Sequence, residues 1–260
     1  MDLSLYSADI LKQYKSQSQI ARRLSESWFA SEMYCPCCLN KSLNQYPPNT
    51  NVWDFFCERC GNQFQAKSSS RTFGKKVVDG EFYTMSRYIQ SDRVPNFFFM
   101  QYSSEDWIVN NLFLVPKFFF SSSVIEKRKP LSASAERAGW TGCNIRLDAI
   151  PADGVIRIID EEKVIKPSKI NEAWKRMRFL NEKSPDLRGW TADVLKCVED
   201  IGKGEFELED VYAYERRLSE LHPDNMHVRD KIRQQLQILR DNGIIRFGTR
   251  GRYSVVNRMH

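Results

Sequence analysis

Four cysteines set in two pairs, Cys35/Cys38 and Cys57/Cys60, constrain this chain more than any other feature. Two residues separate the members of each pair and eighteen lie between the pairs, a spacing that suits a tetrahedral structural zinc. A two-residue gap lets both sulfurs of a turn face one ion, so the ion closes a loop the chain does not close alone. The competing readings are four buried cysteines or two disulfides. Cys37 makes the first turn Cys-Pro-Cys-Cys and competes with Cys38, yet only Cys38 restores the gap seen at Cys57/Cys60. Four protein thiolates leave no position for a substrate, which predicts a structural zinc rather than a catalytic one.

A chain of 260 residues holds one large domain or a domain with a small partner. No apolar run of about eighteen residues is present, so no membrane-spanning helix is expected. Residues 1–20 mix polar and charged side chains and lack the apolar centre of a signal peptide. Seven cysteines, an odd number mostly in metal-site spacing, fit a reducing cytoplasm. Net charge is +6, compatible with a polyanionic partner without requiring one.

Apolar spacing predicts a helix from Leu3 to Trp28, carried by Ile10, Leu11, Tyr14, Ile20, Leu24 and Trp28. Around the second cysteine pair, Val52 to Phe56 and a strand through Phe64 read as an antiparallel pair joined through Cys57-Glu58-Arg59-Cys60-Gly61. Residues 81–92 read as a helix. Asn96 to Tyr102 and Trp107 to Val115 read as buried strands, and Phe97-Phe98-Phe99 and Phe118-Phe119-Phe120 as core. Strands alternating with helices predict a mixed α/β core. Asn181 to Arg188, with Ser184-Pro185, reads as a linker.

Beyond that linker the pattern predicts three helices and a hairpin, the order of a winged helix. Thr191 is the expected cap of the first helix, Phe206 to Leu221 forms the second, and Met226 to Asp241 forms the third, ending at Gly243. In the third helix Val228, Ile232, Leu236 and Leu239 make the buried stripe, while Arg233, Gln234, Gln237 and Arg240 face outward. Glutamine both donates to and accepts from the major-groove edge of adenine, and arginine suits guanine. Arg246, Arg250 and Arg252 on the hairpin are candidates for phosphate contacts. The alternative is a solvated polar helix face. His222 and His227 stand apart from the cysteines, and a surface role is expected for both.

Residues two apart on a strand share a face, so Gln65 and Lys67 project together, with Asp54 across the turn able to meet them. A carboxylate with a second oxygen ligand suits Mg²⁺, and a lysine beside it suits the orientation or activation of water. Taken alone the triplet is weak, because such spacings arise by chance.

Several blocks together carry a family resemblance: Tyr34-Cys35-Pro36, Asp54-Phe55, Phe64-Gln65-Ala66-Lys67-Ser68, Pro95-Asn96-Phe97-Phe98-Phe99, Arg137-Ala138-Gly139-Trp140, Gly142-Cys143-Asn144-Ile145 and the run from Ile232 to Asp241. Over nearly its full length the chain resembles the DpnI family of methyl-directed restriction endonucleases. The resemblance implies a PD-(D/E)XK restriction-endonuclease-like core with an embedded four-cysteine zinc site over residues 1–183 and a C-terminal winged-helix domain over 184–260. It also implies magnesium-dependent double-strand cleavage of GATC whose adenine is methylated on the exocyclic amine, with DNA contacts from both domains.

In that alignment Asp54 falls on the first metal ligand and Lys67 on the catalytic lysine. Gln65 stands where the family usually has glutamate, and Trp53 where a proline or small residue often precedes the aspartate. Trp140 falls in the stretch the family places near the methylated base. The expected partner is double-stranded methylated DNA, bound by a monomer in the bacterial cytoplasm. The competing functions are a non-catalytic methylated-DNA reader, a zinc-ribbon winged-helix regulator, and a zinc-stabilised interaction module.

Overall fold

The structure, a computed structural model, describes residues 1–47, 53–248 and 251–256. In chain order the elements are α1 (Ala8–Gln13), α2 (Gln17–Glu32), β1 (Asn44–Gln45), β2 (Phe55–Phe56), β3 (Gln63–Ser69) and β4 (Lys76–Glu81). There follow α3 (Phe82–Gln90), β5 (Asn96–Tyr102), β6 (Val109–Val115), β7 (Ile125–Lys127), β8 (Gly142–Arg146), β9 (Ile156–Asp160), β10 (Lys163–Val164) and α4 (Pro167–Met177). The last are α5 (Pro185–Ile201), β11 (Glu205–Glu207), α6 (Leu208–Tyr212), α7 (Glu215–Leu221), α8 (Val228–Asp241), β12 (Ile245–Phe247) and β13 (Arg252–Val255). The architecture is mixed α/β with a central sheet. These elements gather into two compact units, one of residues 1–74, 93–117 and 153–178, the other of residues 75–92, 118–152 and 179–260.

A seven-stranded mixed sheet in the order β1-β2-β3-β5-β6-β9-β10 organises the first unit. β3 and β5 are parallel, whereas β2–β3, β5–β6 and β6–β9 are antiparallel. Phe97, Phe98, Phe99 and Met100 of β5 are fully buried, as a central strand covered on both faces requires. On one face Phe29 of α2 packs its ring 5.1 Å from Phe98, which stacks on Phe64 of β3. On the other, Phe99 stacks on Phe113 at 4.9 Å.

Here the first expectation is corrected. Leu3 to Trp28 is not one helix: Ser4 makes an isolated antiparallel bridge to Ile108, and the extended backbone at Tyr14 ends α1 before α2 begins. Backbone hydrogen bonds from Leu5 to Trp107 and from Val109 to Leu3 outweigh a loose helical rhythm. β6 likewise starts at Val109, because Trp107 takes a positive φ that breaks the strand expected to begin there. The expected Val52 strand start lies outside the described residues.

The second unit contains a three-stranded antiparallel sheet, β4-β8-β7, and a winged-helix assembly whose own sheet runs β11-β13-β12. The expected linker at Asn181–Arg188 is instead a 3-10 turn followed by α5. Ser184 accepts from the Leu187 N–H and Pro185 occupies the first helical position, a helix start rather than a break. Arg188 is buried and pairs with Asp92 at 2.7 Å, so its charge marks a tertiary contact, not solvent. Thr191 is no cap; it is buried inside α5, its hydroxyl against the Leu187 carbonyl and Gln235. The expected helix from Phe206 to Leu221 divides into β11, α6 and α7, with a capping box between Glu207 and Asp210 starting α6.

His222 is also not a surface group. Its Nε2 lies 2.8 Å from Asp193, whose other oxygen accepts from Ser123, and its ring stacks on Trp190. This buried polar chain ties α7 and the segment before β7 onto α5.

Candidate active site and nucleic-acid interface

The two cysteine turns are built alike. Cys35 donates its N–H to Asn40 and accepts from Leu39, and Cys57 does the same with Asn62 and Gly61. Each turn therefore needs a positive φ four residues after its first cysteine, taken by Leu39 at 60° and by Gly61 at 69°. Glycine adopts that conformation freely; leucine pays a steric penalty.

The sulfurs of Cys35, Cys38, Cys57 and Cys60 all lie within 4.8 Å of one another. Cys35–Cys60 and Cys38–Cys57 are each 3.6 Å apart, close to the ~3.8 Å edge of a tetrahedron with Zn–S bonds of about 2.3 Å. The donor set and its dimensions thus fit zinc.

Cys37 stays outside that quartet and does something the spacing did not suggest. Burial pushes its thiol well above the ordinary range, and the neighbouring Cys35 and Cys60 sulfurs raise it further. The proximity of Cys37 is the largest influence on both of those sulfurs, drawing Cys35 down to about 7 and Cys60 to about 4. Asn171 of α4 holds the first turn by donating to the carbonyls of Pro36 and Cys37, and buried Asn96 of β5 holds the second through Asn62 and Gln63.

That second turn is also the β2–β3 connection, so it sets the geometry of the Asp–Gln–Lys group. Asp54 lies one residue before β2 and donates its backbone N–H to Phe64. Just beyond the end of the β2 ladder, the Asp54 carboxylate takes the Ala66 N–H at 2.8 Å. Ala66 sits between Gln65 and Lys67, so this bond brings all three side chains to one end of the hairpin. Gln65 and Lys67 share a face of β3, opposite Phe97 and Phe99 in the register with β5.

Burial raises the Asp54 carboxyl above the ordinary range, opposed by the Ala66 hydrogen bond and by Lys67. Glu26 raises it further and Arg22 lowers it; these two form an ion pair on α2 at 2.7 Å. Glu26 was missed from sequence, where an i,i+4 pair looks like any surface pair. An oxygen set with an under-compensated negative charge suits a hard divalent cation.

In the second unit, α8 exposes Arg233, Gln234, Gln237 and Arg240 while burying Val228, Ile232, Leu236 and Leu239. Arg233 pairs with Asp230 and Arg240 with Asp241. Gln235, fully buried, donates to Gln234 at 3.3 Å and so steadies that exposed amide from below. On the hairpin Arg246 and Arg252 are exposed, the latter 3.3 Å from Glu207; Arg250 lies outside the described residues. Trp140 is half-buried in a loop between β7 and β8, with the Arg137 guanidinium 4.8 Å from its ring centroid.

Among the described residues no helix is long and apolar enough to cross a membrane. Two family models match the chain: one described as DpnI, Dam-replacing family, over residues 1–183, and one described as Dam-replacing HTH domain, over residues 186–255.

Proposed function

Because the chain belongs to the DpnI, Dam-replacing family, and with it to the methylation-dependent restriction endonucleases in general, we propose that it is a type II enzyme cutting both strands of GATC whose adenine carries a methyl group on the exocyclic amine. Residues 1–183 supply the chemistry and residues 184–260 the reading head, in a monomer working in the bacterial cytoplasm. The observation that carries this reading is the Asp54 carboxylate fixed on Ala66 between Gln65 and Lys67.

Asp54 and the amide oxygen of Gln65 would hold Mg²⁺, which when bound there supplies charge neutralisation at the phosphoryl group and a more acidic water. Lys67 places an ammonium beside the phosphate, where it donates to a non-bridging oxygen and orients the attacking water. Gln65 offers a neutral oxygen in place of a carboxylate, so Asp54 carries the negative charge of the ligand pair.

In the reading head Gln234 and Gln237 meet base edges in the major groove, with Arg233 and Arg240 released from their acidic neighbours on binding. Arg246, Arg250 and Arg252 meet phosphates, and Trp140 is the apolar wall against the methyl group. Zinc on Cys35, Cys38, Cys57 and Cys60 keeps the β2–β3 hairpin in register.

One plasmid in two forms, with and without adenine methylation at GATC, tests the whole reading in the presence of Mg²⁺. Cutting of the methylated form alone is the expected result. The neutrality of Gln65 favours a second reading, a methyl reader without catalysis. A gel shift that is selective for methylated DNA, with neither plasmid cut, would establish it.

A further inference from the structure

Gly142 opens β8 and is buried, and its φ lies outside the left-handed region, so its backbone would accept alanine. What excludes a larger residue is a side chain. A Cβ at this position would stand 2.9 Å from both Cη2 and Cζ3 of Trp140, closer than real Cβ atoms approach, and 3.3 Å from Nη1 of Arg128. The indole edge and the Arg128 guanidinium thus share the bare backbone of Gly142 as their floor.

The ring has little freedom to move elsewhere. Leu131 N–H donates to the Trp140 carbonyl, the Trp140 N–H donates to Arg137, and Phe82 N–H donates to buried Thr141. Arg128 N–H closes the same loop on the Gly142 carbonyl at 3.0 Å. With the backbone held on both sides, a methyl group at 142 is relieved only by turning the indole about its side-chain bonds. That rotation takes it out of register with Arg137, which covers it at 4.8 Å.

We propose that Gly142 is a positioning residue for methyl recognition, setting the Trp140 indole against the adenine methyl group and the Arg128 guanidinium against a DNA phosphate. This rests on the reading of Trp140 as the methyl contact. An apolar wall discriminates a single methyl group only at van der Waals distance, so a small displacement costs much of the selectivity.

The test is competition binding to methylated and unmethylated GATC duplexes, with Ca²⁺ replacing Mg²⁺, for Trp140→Ala, Gly142→Ala, Arg128→Ala and the double variant Trp140→Ala/Gly142→Ala. Trp140→Ala should lower the preference for methylated DNA roughly tenfold or more, the worth of one methyl group in an apolar contact. Gly142→Ala should lower it comparably although Trp140 is intact, and the double variant should lose no more than Trp140→Ala alone. Arg128→Ala should weaken both duplexes alike and reduce the salt slope by about one.

If Gly142→Ala keeps the full preference while Trp140→Ala loses it, the positioning role is wrong and the reading of Trp140 stands. Should Trp140→Ala itself keep the preference, that reading fails and the inference with it. Melting temperatures cover the case of a poorly folded Gly142→Ala: stability regained in the double variant supports the clash with the indole, and none regained overturns it.

Discussion

Burial holds the Asp54 carboxyl above its ordinary range, ahead of the Ala66 hydrogen bond and the Lys67 charge that oppose it. The protonated form is therefore favoured by folding. The associated stability is present below the unfolded pKa and is lost as pH rises through the raised folded value. At neutral pH the ionised carboxylate works against the fold, so Asp54→Asn should raise the melting temperature while reducing cleavage on the order of 10³-fold. Thermal scans should show that gain shrinking as the pH is lowered toward the carboxylate range. A gain that is independent of pH would separate it from ionisation. Leu39 gives a second case of strain at a useful place. It takes the left-handed conformation that Gly61 takes in the matching turn, and its side chain is 40 % exposed. Leu39→Gly should therefore stabilise the chain by about 1 kcal/mol, seen as a higher denaturant midpoint.

α8 divides its outward face between residues suited to reading and residues suited to gripping. Gln234 is steadied by buried Gln235, which in turn meets Thr191 of α5. Gln234→Ala should cost about 1–3 kcal/mol on the cognate site and much less on unrelated DNA. Arg252→Ala on β13 should instead weaken all DNA alike and reduce the salt slope by about one. Equilibrium binding on two sequences at several salt concentrations separates the two effects, and equal losses for both variants on both DNAs would remove the distinction. At this scale the sequence was readable where signals are local: α3, β5, the stripe of α8 and both cysteine turns stand where spacing put them. It was misleading from Asn181 to Arg188, where polar residues looked solvated. Arg188 is buried against Asp92, a partner 96 residues away that no local window contains.

For the molecule as a whole, a zinc held by the four cysteines would support the unit that carries Asp54, Gln65 and Lys67 through the β2–β3 turn. A strong chelator should release a single zinc and abolish cleavage together with the cooperative unfolding of residues 1–74, 93–117 and 153–178. The α5–α8 assembly contains no zinc ligand and should keep its protection from hydrogen exchange, which a uniform loss across the chain would contradict. The candidate reading and cutting residues drew on the family resemblance, but by itself the sequence determined the cysteine quartet and the helix and strand types of the strongly periodic segments. Each of these follows from spacing over a few residues, where backbone geometry fixes which side chains share a face. Tertiary structure alone decided that Asp54 closes on Ala66, that Glu26 and Arg22 bear on it, and that the Cys37 thiol is buried beside the sulfurs. It also decided that His222 is buried on Asp193 and that Gly142 must stay bare beneath Trp140. Those are contacts between groups distant in the chain or between side-chain surfaces, and their energies depend on burial and distance that only the packed fold supplies.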